Sequence, residues 1–597
     1  MAHPATARAA HPLAGIGLRT AGSPALTTTV AHHLTLLGAA DLGSAASDGP
    51  GAVSLTGAGG LPLTAAIAWA AVAPADEVTD EATAQAATGV ACVHGRRSGE
   101  PRGLAVDYLT TACAVLAVQG LLAGLIGRAR GSAVETVRTG VDLAGLLSVG
   151  QYLAAADAED DEAVPFAPGG PPFTTADGVC FEVETLDPAV WVAFWQALGV
   201  AGRLAGSAWR SFQFRYATAC SPLPEELRAR VHAVDWESVR RAAKESGASL
   251  CALRSLRDRL AEPRARAPWR LSAGLPALPA LPALPLPPSA EVARPLAGLT
   301  VLEAGRRIQA PLAAYVLGLL GADVVRIEPP GGDPLRGMPP TCGDLSARWL
   351  ALNRGKRAVE IDIKSAAGRA ELRDLVRGAD VFVHNWAPGT AERLGLDDGD
   401  LSAVNPGLVY AYTSGWAGRL AGAPLGTDFM VQARTGLGEA VRPAGEPPAP
   451  SLMTLLDVLG GLLGAEAILA GLLLREREGR GVRVDSSLLG AAETLTEPAL
   501  RRAAAGADPR RPAGFRRPLP TADGWVAVAD DCAGQAGAAA LTGLDTAGAV
   551  TSLRRRGLRA TAVTTALDRL PSDPRFTSAL TRDEHGALAV PVPWRFA

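Results

Sequence analysis

Two aspartates stand ahead of the longest apolar runs of this 597-residue chain: Asp107 before residues 112–126 and Asp457 before residues 458–474. A lone Asp in front of an apolar helix ordinarily caps it, its carboxylate accepting from first-turn N–H groups. The same placement favours the ionised carboxylate, because a helix start carries partial positive charge. A chemical role for either residue therefore needs support from its neighbours. Other chemistries are excluded more directly. The seven cysteines are irregularly spaced and form no C-x-x-C, so neither a disulfide framework nor a zinc knuckle is expected, and no metal. A reducing cytoplasm suits them. A net charge of −3 argues against a nucleic-acid partner, while leaving room for a local basic patch that takes a phosphorylated small molecule.

The elements that would position these residues come in two sets. Leu13-Ala14-Gly15 returns as Leu296-Ala297-Gly298, and Gln85-Ala86-Ala87-Thr88-Gly89 as Gln432-Ala433-Arg434-Thr435-Gly436. Thr175-Ala176-Asp177-Gly178 returns as Thr521-Ala522-Asp523-Gly524, and Pro268-Trp269-Arg270 as Pro593-Trp594-Arg595. The order is kept over hundreds of residues, which indicates a duplicated module and not a solenoid. The expected organisation is a first repeat over 1–272, a linker over 273–295 and a second repeat over 296–597. Within the linker, Leu275–Pro288 carries proline every two or three residues, which forbids helix and predicts an extended spacer rising ~3.1 Å per residue.

After the linker, strand and helix patterns alternate. Strands are expected at 299–303, 323–328, 358–362, 380–384 and 408–413, with helices at 311–320 and 369–377. Such alternation predicts an α/β parallel sheet. The two apolar runs are rich in Ala and Gly and too short to span a bilayer comfortably. Buried helices are expected, with no membrane partner, and the N-terminus shows no signal-peptide pattern. The repeats are unequal. Leu13 to Asp107 is far shorter than Leu296 to Asp457, while Asp107 to Trp269 is longer than Asp457 to Trp594. Each repeat is trimmed where the other is full, as expected if one composite site survives.

Residues 296–490 resemble the class III CoA transferases, a family that includes formyl-CoA transferase, the carnitine CoA-transferase and the α-methylacyl-CoA racemases. The ordered matches are Leu296-Ala297-Gly298-Leu299-Thr300-Val301, Gln309-Ala310-Pro311 and Leu320-Gly321-Ala322-Asp323-Val324-Val325-Arg326-Ile327-Glu328. Then follow Gly332-Asp333, Arg336, Asn353-Arg354-Gly355-Lys356-Arg357, His384-Asn385-Trp386-Ala387-Pro388-Gly389, Asp457 and 475–484. The first repeat matches over 13–18, 85–89, 107–130 and most of 165–270, with thin coverage of 20–75.

The resemblance implies two interlocked repeats forming a pseudo-dimer within a monomeric chain. Each would have an α/β large domain and a small α+β domain, the fuller small domain lying at about 165–270. It implies acyl-CoA and a carboxylic acid as substrates, with Asp457 the nucleophile and Asp107 its twin. The carboxylate would store the acyl group as a mixed anhydride and then CoA as an aspartyl thioester. Coenzyme A contacts fall by resemblance on Lys356, Asn385 and Arg393, on Gln309 and Ala310, and more weakly on Arg326, Arg336 and Arg357. Pro329 stands where the family often has a basic residue. Gly460 and Gly461 would either supply oxyanion contacts or serve tight helix packing. No glycine-rich lid is present, Gly169-Gly170 being the nearest candidate. The racemases place a histidine at the position of Thr427, whose counterpart is Asp80. Threonine is no general base near neutral pH, so acyl-CoA transfer leads over epimerisation and over a non-catalytic scaffold. His384 is read as structural or CoA-lining.

Overall fold

The computed structural model describes residues 11–57, 60–274, 292–536 and 541–597. The proline-rich spacer Leu275–Pro288 lies outside them. Two sheets form the frame. The larger has seven strands in the order Arg357–Glu360, Asp323–Glu328, Thr300–Ala304, Val381–His384, Val409–Ser414, Val482–Ser487 and Trp269–Ala273. The first six are parallel. Apart from the exposed outer strand Arg357–Glu360, their Val-rich runs are largely buried on both faces, as parallel strands covered by helices must be. The five strands expected from the sequence each lie within two residues of their expected positions, while Val482–Ser487 and Trp269–Ala273 were not anticipated as strands.

The second sheet has six strands in the order Ala40–Ala46, Gly17–Gly22, Gly51–Thr56, Leu63–Ala68, Thr136–Gly140 and Arg595–Phe596. Four of these fall in or beside the stretch where the resemblance was thin. Gly51–Thr56 and Leu63–Ala68 form an antiparallel hairpin next to Gly17–Gly22. A short hairpin thus stands where the other repeat has a long run of strands and helices. Its antiparallel strands, separated by only six residues, replace crossover connections that need a dozen or more residues each.

The last strand of each repeat belongs to the other repeat's sheet. Trp269–Ala273 runs antiparallel to Val482–Ser487, pairing Trp269 with Ser486. Arg595–Phe596 runs antiparallel to Thr136–Gly140, pairing Arg595 with Arg138. The Pro-Trp-Arg echo marks these crossing strands. Trp269 Nε1 donates to Glu466 Oε1 at 2.9 Å, and Trp594 Nε1 to the Leu116 carbonyl at 2.7 Å. Both acceptors sit on central helices, so each indole anchors one repeat in the other's core.

Those helices are Tyr108–Ala129 and Leu455–Glu478, which pack against each other. Their lengths correct the expectation that the apolar runs are short. With 22 and 24 residues they are long and apolar enough to cross a membrane, yet both are buried inside the fold. A helix apolar on every face needs such complete cover. Gly471 lets the sheet come close, since a Cβ there would lie 2.9 Å from Val484 Cγ1. Glu466, fully buried mid-helix, is satisfied by Trp269 and by His33 Nδ1, 3.0 and 3.1 Å from its oxygens.

Among the described residues two three-stranded sheets and two short two-stranded ribbons accompany the frame, and the three-stranded sheets belong to the smaller domains. Phe173–Thr174, Cys180–Glu184 and Ser249–Ala252 form one, backed by an aromatic core of Phe181, Trp191, Phe194, Trp195 and Phe212. Leu519–Pro520, Trp525–Val528 and Ala560–Ala562 form the other, over a smaller core. Each packs on the opposite repeat. The first meets the helix Asp428–Arg434 and the second meets Glu81–Ala87, the two helices that carry the Gln-Ala echo.

Candidate active site around Asp457

Asp457 is the third residue of the helix Leu455–Glu478, inside the first turn and not ahead of it. The turn is held by side chains from the echoed segment. Asp428 Oδ2 accepts the Asp457 N–H at 2.7 Å, and Gln432 Nε2 donates to Asp428 Oδ1. Gln432 also brackets Ser451, donating to its carbonyl at 2.9 Å and accepting from its N–H at 2.8 Å. Thr454, just before the helix, is buried with φ 54°. A β-branched residue in the left-handed region is strained, and such strain persists only where the surroundings enforce it. Here the Tyr152 hydroxyl lies 3.1 Å from Thr454 Oγ1.

The Asp457 carboxylate faces a cavity of about 430 Å³. One side comes from its own repeat through Arg307, Leu335, Met338 and Trp349. The other comes from the first repeat through Glu184, Trp209, Gln213 and Tyr216. Among the described residues no side chain donates a hydrogen bond to the Asp457 carboxylate. Burial pushes its carboxyl well above the ordinary range, and the charges of Asp428 and Glu184 push the same way. Arg307 pulls it back down. Asp428, buried beside it, is itself raised to about 6 by burial, against the hydrogen bonds it accepts.

Glu184 closes the cavity from the far side. Its carboxylate accepts from Arg215 Nη2 at 3.0 Å, Thr427 Oγ1 at 3.0 Å, the Thr185 N–H at 3.0 Å and the Tyr216 hydroxyl. Tyr216 stacks on Phe429, with ring centroids 4.4 Å apart, and Arg307 lies over the other side of the cluster, 5.6 Å from the Tyr216 ring centroid. Thr427 thus holds the small domain's Glu184, and its hydroxyl supplies no base.

Asp107, the twin, is placed differently. It is the N-cap residue of Tyr108–Ala129 and makes no capping bond. Glu81 reaches further than Asp428 does, accepting the N–H groups of Leu109 at 2.8 Å and Thr110 at 2.7 Å. Asp107 turns instead to Arg516, whose Nη2 donates to it at 2.6 Å. Arg516 is 3% exposed and spends its remaining donors on Asp530 and on the carbonyls of Leu104 and Val106. Burial tends to raise the Asp107 carboxyl, but Arg516, with Arg511 and Arg502, outweighs it and holds the group below its ordinary value.

The residues expected to meet coenzyme A separate into two groups. Lys356 and Arg326 do not stand free for phosphate. Lys356 Nζ has three protons and gives them to Glu303 Oε2 at 2.9 Å, the Pro311 carbonyl at 2.8 Å and Asn353 Oδ1 at 2.9 Å. Burial pushes its ammonium down to about 8, against the pull of Glu303. Arg326 is buried against Glu303, Glu328 and Asp333. Arg336 is bidentate on Glu328 at 2.9 Å and stacks over Trp349, and Arg357 pairs with Asp323 on the exposed outer strand. These side chains shape the sheet end, binding one another.

Asn385 and Arg393 form the other group. Asn385 grips the Arg306 backbone twice, accepting its N–H and donating to its carbonyl, both at 2.9 Å. That grip sets the 305–308 loop carrying Arg306 and Arg307. Arg393 is exposed, and among the described residues its guanidinium bonds the Thr390 hydroxyl at 2.8 Å. Gln309 and Ala310 begin the helix Gln309–Leu319, and Ala310 is fully buried. Gly460 and Gly461 serve helix packing: a Cβ on Gly461 would lie 2.8 Å from the Gln309 carbonyl oxygen. His384 is buried with Nε2 2.7 Å from the Tyr410 hydroxyl, and burial lowers it to about 3, so it stays neutral. Gly169-Gly170 is pinned, its carbonyls accepting from the Ser221 N–H and Arg228. Arg307, Glu184, Tyr216 and Arg516 were missed by sequence reasoning; only the adjacency of Arg307 to the Gln309-Ala310 match pointed toward any of them.

A family model described as CoA-transferase family III matches twice, over residues 74–271 and 296–572. The chain belongs to that family. Its two matched segments make it an internally duplicated member. Among relatives, acetyl-CoA:oxalate CoA-transferase of Acetobacter aceti is 37% identical over 198 residues, 32% of this chain and 51% of that protein. The succinyl-CoA–L-malate CoA-transferase beta subunit of Chloroflexus aurantiacus is 38% identical over 208 residues, 32% of this chain and 49% of that protein. The human succinyl-CoA:glutarate CoA-transferase is 32% identical over 202 residues, 33% of this chain and 45% of that protein. The chain thus spans about half the length of the curated relatives it matches. A solved CAIB/BAIF family protein from Brucella suis is 27% identical with a TM-score of 0.45, over 51% of this chain and 93% of that one.

Proposed function

We propose that this protein is an acyl-CoA:carboxylate CoA transferase with one working site, at Asp457. The observation that carries the reading is the contrast between the twin aspartates. Asp457 presents to a cavity walled by both repeats a carboxylate with no hydrogen-bond or ion-pair partner among the described residues, while Asp107 is paired with Arg516. In the reaction an Asp457 oxygen attacks the thioester carbonyl, the C–O bond forms, the C–S bond breaks, and CoA leaves as thiolate. The mixed anhydride is then attacked by that thiolate at the aspartyl carbonyl, which releases the donor acid and leaves an aspartyl-CoA thioester. An acceptor carboxylate reverses the two steps and restores Asp457. The cavity keeps water from the anhydride, and Arg307 offsets the carboxylates that disfavour ionised Asp457. CoA phosphates would be met by the exposed Arg306 and Arg393 beside Asn385 rather than by Lys356. Thr427 stands where a racemase needs its histidine, and it is committed to Glu184.

Incubation with an acyl-CoA and hydroxylamine, followed by peptide mass spectrometry, tests the reading. A hydroxamate on Asp457, absent from Asp457→Ala and unaffected by Asp107→Asn, is expected. Trapping at Asp107, or at neither residue, refutes it.

A further inference from the structure

Three arginines line the Asp457 cavity, and two are committed. Arg215 is ion-paired to Glu184 and donates to the Phe212 carbonyl. Arg348 is ion-paired to Glu162 and donates to the carbonyls of Ala217 and Pro339. Arg307 alone among them makes no ion pair and no side-chain hydrogen bond with the described residues. It is exposed to the cavity, and its backbone sits at φ 62°. A non-glycine residue in that region is strained, and the Asn385 grip on Arg306 helps to hold it there. The guanidinium is thereby fixed near the Tyr216 ring, within electrostatic reach of Asp457.

The rest of the cavity explains what such a charge would meet. Leu186, Trp209, Leu335, Met338 and Trp349 supply an apolar wall fit for a short methylene chain. Glu184 is already paired with Arg215, but ionised Asp457 would repel a second carboxylate on the substrate unless a cation received it. A planar guanidinium with free donors matches a carboxylate in two-point geometry.

Resting on the transferase reading above, we propose that Arg307 is a specificity-determining residue that takes the second carboxylate of a dicarboxylic acyl group, so that ω-carboxyacyl-CoA thioesters are preferred. Succinyl-CoA and butyryl-CoA test it, because they match in chain length and differ by carboxylate against methyl. The assay is exchange of labelled free acid into its own thioester, labelled succinate into succinyl-CoA and labelled butyrate into butyryl-CoA. Exchange of this kind needs no separate acceptor. The wild type should favour succinyl-CoA in kcat/KM by about 10- to 100-fold, the range for one hydrogen bond to a charged group. In Arg307→Met that ratio should collapse toward one, and Arg307→Lys should keep part of it.

A ratio unchanged in Arg307→Met, whether or not both rates fall together, overturns the proposal and leaves Arg307 acting only on CoA or on Asp457. Wild-type preference for butyryl-CoA overturns it whether or not the variants fold. Quenching of tryptophan fluorescence gives a second readout through Trp209 and Trp349, and free succinate should quench more tightly than butyrate. If the wild type exchanges neither ester, the transferase reading itself has failed and takes this proposal with it.

Discussion

Removing Arg516 as Arg516→Met deletes the charge between the two repeats' acids while keeping much of the side chain's volume. Arg516 is almost fully buried and bonds Asp107 at 2.6 Å and Asp530 at 2.7 Å. Asp530 in turn accepts no help from Asp80, whose own carboxylate takes the Asp530 N–H at 2.6 Å. Breaking a buried pair costs about 3–5 kcal/mol and losing an exposed one at most about 1. The Asp107 side chain is 37% exposed, so solvent screens part of the loss, and about 2–3 kcal/mol is expected. The dependence on pH follows from the sign. With Arg516 present, Asp107 has a lowered pKa, so its contribution is whole above the unfolded value near 3.9 and fades as pH falls through the folded value. Without Arg516, burial pushes the Asp107 carboxyl up against only the remaining pull of Arg511 and Arg502. The variant's penalty is therefore largest at neutral pH and shrinks toward acid. Urea unfolding of both proteins at pH 7.5 and at pH 3.0, below the unfolded value, measures it, together with the CoA-transfer rate at pH 7.5. A penalty equal at the two pH values would refute the electrostatic account. A large loss of turnover would refute the view that the Asp107 side is idle.

The acid limb of kcat/KM should lie above the ordinary carboxylate range, because Asp457 must ionise against burial and its neighbours. Asp428→Asn should move that limb toward lower pH, and a limb that stays put would show that another group titrates. Gly461→Ala forces a Cβ to within 2.8 Å of the Gln309 carbonyl oxygen, a backbone atom that cannot swing aside. A loss of about 1–3 kcal/mol is expected, read as a lower urea midpoint. Stability equal to the wild type would mean that the two helices are free to separate there.

Much of the larger sheet was legible because its strands are β-branched runs between turn residues, and that pattern is local. The resemblance singled out Asp457, which the structure sets on a cavity lined by both repeats, and the twin aspartates do differ in their surroundings. What escaped was fixed by distant partners. Lys356 looked like a phosphate ligand, but Glu303 and Asn353 complete it only once strand and helix meet. Arg516 sits 409 residues from Asp107, so no spacing rule connects them. Glu184 lies in an ordinary short strand, and its role appears only when that sheet is laid over Thr427 in the opposite repeat. The Pro-Trp-Arg echo was visible as a repeat, whereas its meaning as a crossing strand required the paired sheets.

The crossing strands also set a timetable for synthesis. The strand Thr136–Gly140 receives its outer neighbour, Arg595–Phe596, only after ~450 further residues have been made. At roughly 5–20 residues per second, that is about 20–90 s. Through that interval the nascent chain carries an open sheet edge, a template for mispairing with another copy. The first repeat cannot finish alone, and the second cannot finish without Trp269–Ala273 already waiting for it. Yield in the cell should accordingly depend on how well that edge is guarded while the ribosome is still working.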